Sequence, residues 1–131
     1  MIRVVAAVIE ENGRILICQR RAGGPFALQW EFPGGKMRRS ETPRAALIRE
    51  LREELGVEAR IGRQLCKTHH RYSQLADAVE LIFFATGRPR APLRNLAFQR
   101  ITWAPRKALA RYDFLRADRL LVSRIVRGEV L

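Results

Sequence analysis

Gly35 to Val57 reads GKMRRSETPRAALIRELREELGV, and one helix within it sets the plan of the chain. Thr42-Pro43 opens that helix. A threonine hydroxyl can accept from amides that the first turn leaves free, and proline at the first helical position loses nothing by lacking an N–H. Leu47, Ile48, Leu51 and Leu55 recur at helical spacing as one apolar stripe. Gly56 follows where the chain must leave the helix at positive φ. Glu50, Glu53 and Glu54 fall at i, i+3 and i+4 and so share a second face beside the stripe. Like charges so placed repel by roughly a few tenths of a kcal/mol per pair in an isolated helix.

A cation among the three glutamates would relieve that repulsion. Carboxylate oxygens are the hard ligands that Mg²⁺ takes, usually one or two of them together with substrate phosphates. Ala46, one turn before Glu50, is small enough to leave room for metal and phosphate. Arg49 precedes Glu53 by four residues and can hold that carboxylate in place. Gly34 and Gly35 let the backbone approach a ligand closely before the helix begins. On helix reasoning alone a rival stands: a solvated face with its glutamates paired to Arg49 and Arg52.

Upstream, Val4 to Ile9 reads as a strand, Asn12-Gly13 as a hairpin turn, and Arg14 to Arg20 as the returning strand. Ala22 to Pro25 is a loop, Gln29 to Phe32 a short extended piece, and Pro33-Gly34-Gly35 a sharp turn. Downstream, Val57 to Tyr72 holds one or two strands, Ala78 to Thr86 an apolar strand, and Ile101 to Trp103 a short one. Arg88 to Leu93, with two prolines, is a loop, and helices are expected over Pro105 to Tyr112 and Ala117 to Val126. No repeat or long linker divides the chain, so residues 1–131 are expected to form one domain. Its class is α/β, a sandwich around a mixed sheet.

The composition is that of a globular chain, 47% hydrophobic, with no stretch long enough to span a bilayer. No secretory cleavage pattern follows Val4 to Ile9, and Cys18 and Cys66 lack zinc-site spacing, so a cytoplasmic protein with free thiols is expected. The net charge of +12 is carried mostly by arginines scattered from Arg3 to Arg127. They either decorate a solvated surface or favour an anionic substrate. His69-His70 would point to opposite faces of a strand and so could not easily chelate together. No nucleophile–base pair at triad spacing, P-loop or dinucleotide fingerprint is present.

The segment resembles the Nudix box, G-x5-E-x7-R-E-U-x-E-E-x-G-U with U a bulky aliphatic. Gly35, Glu41, Arg49, Glu50, Leu51, Glu53, Glu54, Gly56 and Val57 fill its positions without a mismatch. The resemblance implies a Nudix-type α/β/α sandwich and a Mg²⁺-dependent pyrophosphohydrolase, with Mn²⁺ as the alternative ion. It implies Glu53 and Glu54 as metal ligands, Glu50 as a further ligand or the base, and the Gly35 carbonyl as completing the metal shell. Arg49 would orient a glutamate, while Glu41, Gly34 and Gly56 support the loop and helix.

Trp30-Glu31-Phe32-Pro33-Gly34-Gly35-Lys36 is similar to the MutT-type branch, which implies Trp30, Phe32 and Lys36 in substrate binding. In that branch an Asn or Asp near the start of the last helix reads the base edge, and Asp118 holds that place here. Asp118, or Asp113 before it, has the alternative of capping the helix. Trp30 and Phe26 can either stack on a base or pack in the core. Unlike many members, the chain has no Asp or Glu from Ala91 to Trp103, so either Glu50 or Glu53 supplies the base or activity is slower than in relatives that have the extra carboxylate. The activity implied is hydrolysis of a nucleoside triphosphate, of 8-oxo-dGTP or CTP type, to monophosphate and pyrophosphate. An RNA 5′-end pyrophosphohydrolase and a silent nucleotide-binding module are the alternatives, the protein being a monomer or a homodimer.

Overall fold

The computed structural model describes residues 1–131. Its first elements are β1 (Ile2–Glu11), β2 (Arg14–Gln19), β3 (Trp30–Glu31), β4 (Gly34–Lys36) and α1 (Pro43–Leu55). Then come β5 (Ile61–His70), β6 (Val79–Thr86), β7 (Arg100–Pro105) and α2 (Arg119–Val126). Strand β1 lies at the centre. It runs parallel to β6 along one edge, and its other edge takes β4 antiparallel at Val4–Ala6. β5 adds antiparallel to β6, so the sheet is mixed. The β1–β2 hairpin turns at Asn12 and Gly13, both at positive φ, and carries the chain into a second antiparallel set in which β2 pairs with β3 and β7.

Alternate residues of β1 face opposite ways, and each face has its own cover. Val5, Ala7 and Ile9 pack with Leu47, Leu51 and Leu55 of α1. Ala6 and Val8 pack with Leu121, Val122 and Ile125 of α2. A strand covered on both faces has no polar alternation, which is why β1 reads as a continuous apolar run. The α/β sandwich around a mixed sheet is therefore the architecture.

Helix α1 begins and ends as its sequence dictates. Thr42 accepts from the Ala45 amide at 3.1 Å, and Gly56, at φ 67°, donates back to the Arg52 carbonyl. Three details differ from the sequence expectation. The buried face of α1 is Ala46, Leu47, Leu51 and Leu55, with Ile48 only half-buried, so Ala46 lies in the core and leaves no room for a ligand. The segment after β7 is a six-residue 3₁₀ turn, Arg106–Arg111, because Leu109 alone is buried and no apolar stripe holds an α-helix down. The last helix starts at Arg119, after a short 3₁₀ turn over Arg116–Asp118. No helix is long and apolar enough to cross a membrane.

Candidate functional site

A cavity of about 520 Å³ runs from β4 and α1 to the segments around Tyr72 and Asp118. Two glycines form its floor at the α1 end. Gly34, at φ 155°, lies so close to β1 that a Cβ would sit 1.9 Å from the Val5 carbonyl oxygen. Its amide donates to Glu54 Oε1 at 2.9 Å. A Cβ on Gly35 would meet the Glu50 carboxylate at 2.5–2.7 Å. Gly34 has no space for a side chain against the β1 backbone, whereas a side chain at Gly35 would have to displace the Glu50 carboxylate.

Arg49 organises the helix side. Its guanidinium donates to Glu41 at 2.6 and 2.8 Å, to Glu50 at 2.9 Å, to Glu53 at 3.4 Å, and to the Lys36 carbonyl at 3.0 Å. The bond to Arg49 and the Arg38 amide hold the Glu41 carboxyl down at about 2. Glu50 lines the cavity, and burial raises its pKa against the pull of Arg49. Glu54 is the most buried of the helix carboxylates. Its desolvation, followed by repulsion from Glu31 and Glu50, pushes it up to about 9 despite the Gly34 amide. Glu53 lies outside the cavity wall, 49% exposed, shared between Arg49 and Arg38. Arg52 pairs with Glu58 instead of the box glutamates.

At the other end the cavity is apolar, with Phe32, Leu81 and Ala117 in its wall and Asp118 buried among them. Burial, with repulsion from Glu31 next, raises the Asp118 carboxyl well above its ordinary range, and the Phe32 amide opposes the shift. Asp118 makes no capping bond to α2, and Asp113 accepts from Gln29 and Arg119, so neither residue caps the helix. Tyr72 closes this end, its hydroxyl accepting from the Ala117 amide at 2.9 Å and its ring meeting Phe26 edge-on. Trp30 is not in the cavity wall. It is buried in the core against Tyr112, with Arg100 over its ring. The two histidines are apart, His69 bonded to Glu80 and His70 packed on Tyr72.

Glu31 and Tyr72 are the wall residues that sequence reasoning passed over. Burial raises Glu31 to about 7 even though Arg20 is bonded to it. The one signal was a carboxylate standing between two buried aromatics, Trp30 and Phe32. Tyr72 carried no signal at all.

The donor set suits a hard divalent cation. Of the chain's thirteen carboxylates, all but Glu54 and Asp118 take part in an ion pair. Both of these are held in the cavity wall, and Glu54 stands beside Glu50, Glu31 and the Gly34–Gly35 backbone. An unpaired carboxylate among others is relieved by a cation. No three His, Cys, Asp or Glu side chains stand as a closed cluster; Glu50 and Glu54 line the cavity, and Glu53 lies outside its wall.

The NUDIX domain family model matches residues 1–124. The chain belongs to the Nudix family. This Nudix hydrolase is 37% identical over 118 residues to CTP pyrophosphohydrolase of Escherichia coli (strain K12), covering 90% of this chain and 86% of that one. It is 50% identical to 8-oxo-dGTP diphosphatase of Haemophilus influenzae, but over 60 residues, 45% of this chain and 44% of that one. Among solved structures, the E. coli ORF135 protein superposes with a TM-score of 0.86 at 35% identity, covering 99% of this chain and 91% of that one. Nudix hydrolases generally need a divalent metal ion.

Proposed function

We propose that this Nudix hydrolase converts a nucleoside triphosphate to monophosphate and pyrophosphate in the cytoplasm, with Mg²⁺ as the cation and Mn²⁺ as its substitute. One observation carries the reading: a single cavity joins a glycine-floored, carboxylate-lined end to an apolar end that holds Asp118. The first end suits phosphates and the second a base. Glu50, Glu53 and Glu54, with the Gly35 carbonyl, are the residues that would hold the cation. When bound, it supplies charge compensation at phosphoryl oxygens and makes water more acidic.

The chain's own groups do the rest. Lys36, in the cavity wall, pairs with phosphate oxygens. Glu50, which stands in the wall where Glu53 does not, takes the proton of the attacking water. Water oxygen bonds to phosphorus, the anhydride between the α and β phosphoryl groups breaks, and the leaving phosphate oxygen keeps the electron pair. Arg49 is a positioning residue for Glu41, Glu50 and Glu53. Phe32 packs against the base, and Asp118 reads its edge, accepting from an amino group or donating when protonated. Cytosine offers a donor and an acceptor side by side. CTP or dCTP stands ahead of 8-oxo-dGTP because similarity to the CTP enzyme spans nine-tenths of the chain and that to the 8-oxo-dGTP enzyme less than half.

The test is turnover with Mg²⁺ on CTP, dCTP, 8-oxo-dGTP, ordinary purine triphosphates and a triphosphorylated RNA, assaying pyrophosphate and orthophosphate separately. Fast pyrophosphate release from a free nucleotide, lost in Glu53→Gln with folding retained, supports the reading. Silence on every free nucleotide with turnover of RNA would replace it by an RNA-end activity. An undiminished Glu53→Gln would remove Glu53 from the cation site.

A further inference from the structure

Across Tyr72 from the nucleotide cavity lies a second one, about 380 Å³ in volume. Three arginines line it, Arg71, Arg116 and Arg119, and no acidic residue does. Tyr72 is the partition. Phe26 meets its ring at 4.9 Å from the first cavity and His70 at 4.4 Å from the second, while the Ala117 amide fixes the hydroxyl.

Two of the three charges in this wall are not spent internally. Arg71 and Arg116 take part in no ion pair and no side-chain hydrogen bond, and both are exposed. Asp77, which feels the Arg71 charge, is already bound to the N-terminal amine at 2.9 Å. Arg119 is steadied by the Phe114 carbonyl at 3.0 Å and by Asp113 at 3.3 Å. Three arginines against one directly paired carboxylate leave the wall with an excess of positive charge that favours an anion, and the guanidinium fork matches phosphate oxygens two at a time. Apart from Tyr72, the wall is polar.

We propose that this second cavity is a phosphate-binding site distinct from the nucleotide cavity. Two sources share that chemistry. One is the downstream phosphate of a nucleotide chain whose 5′ end occupies the first cavity. The other is free pyrophosphate.

The experiment uses the full chain and the double variant Arg71→Ala/Arg116→Ala, whose positions are exposed and so leave the fold intact. Inorganic pyrophosphate is titrated into the metal-free protein, and backbone amide shifts are followed by ¹H–¹⁵N NMR. In the wild type the amides of Arg71 to Gln74 and of Arg116 shift and saturate. In the variant that response weakens about tenfold, as loss of charge-assisted bonds requires, while the amides of Gly35 and Lys36 respond as before.

Turnover then separates the sources. A kcat/KM preference for a 5′-triphosphorylated dinucleotide over the mononucleotide, abolished in the variant, assigns the site to a nucleotide chain. Equal kcat/KM for the two substrates, with pyrophosphate binding still lost in the variant, assigns it to the free anion. Shifts confined to Gly35 and Lys36 in the wild type would overturn the proposal. So would a variant whose mononucleotide kcat/KM falls as far as its pyrophosphate binding, because the arginines would then serve the first cavity.

Discussion

Glu54→Gln tests the electrostatics of the site without any assumption about substrate. In the folded, metal-free protein the Glu54 carboxyl is pushed from its ordinary 4.5 to about 9. Between those values the folded state holds a proton that the unfolded chain has released. Stability from this group is therefore fully present below about 4.5 and is lost progressively as pH rises towards 9. At about 1.4 kcal/mol per pH unit, the full window sets a ceiling of about 6 kcal/mol. Water entering the open cavity and side-chain relaxation bring the expected loss nearer to 2–3 kcal/mol, or roughly 10 °C in Tm for a domain of this size.

Thermal melts of the metal-free protein at pH 5.5, 7 and 9, with and without Mg²⁺, measure it. The wild type should melt lower as pH rises, and Mg²⁺ should restore most of the loss at pH 9. A ligand at a hundredfold its Kd contributes about 2.7 kcal/mol, which is the size required. Glu54→Gln keeps an acceptor for the Gly34 amide and removes the charge. Its melting point should therefore fall less steeply with pH than that of the wild type and respond little to Mg²⁺, the remaining slope coming from Glu31, Glu50 and Asp118. The same slope in both proteins, or equal stabilisation of both by Mg²⁺, would refute the assignment of Glu54 as the buried carboxylate that a cation relieves.

Gly34→Ala should fail to fold or melt far below wild type by circular dichroism, since its Cβ would enter the Val5 carbonyl of the central strand and backbone atoms cannot yield. A wild-type melting point would mean that β4 can move away from β1. Arg49→Lys keeps a charge but cannot bind Glu41 through two nitrogens while reaching Glu50 and Glu53. Steady-state assays should give kcat down by about 10–100-fold with the melting point little changed. Asp118→Asn should raise the melting point of the metal-free protein at neutral pH, because a buried carboxyl with a raised pKa opposes folding there, and should alter the ratio of kcat/KM between CTP and purine triphosphates. An unchanged ratio would leave Asp118 without a part in base reading.

Much of this molecule was legible in the chain itself. The threonine cap, the proline after it, the leucine spacing and the terminal glycine specify α1 locally, because each acts on backbone groups within one turn of its own position. Asn12-Gly13 specifies the hairpin in the same way, and the box spacing identifies the family. What the chain could not disclose are meetings between distant segments. Glu31, Tyr72 and Asp118 share one cavity only because β3, the end of β5 and the turn before α2 converge, and no local pattern in those segments anticipates it. Burial beside α1 sends Ala46 into the core and leaves Glu53 at the rim, although helical periodicity had put both beside Glu50 on one ligand face. Trp30 likewise went to the core instead of the cavity. Periodicity specifies which residues share a face; how deep that face sits, and what stands across from it, follow from the parallel pairing of β1 with β6 and the packing of helices on both sides of the sheet.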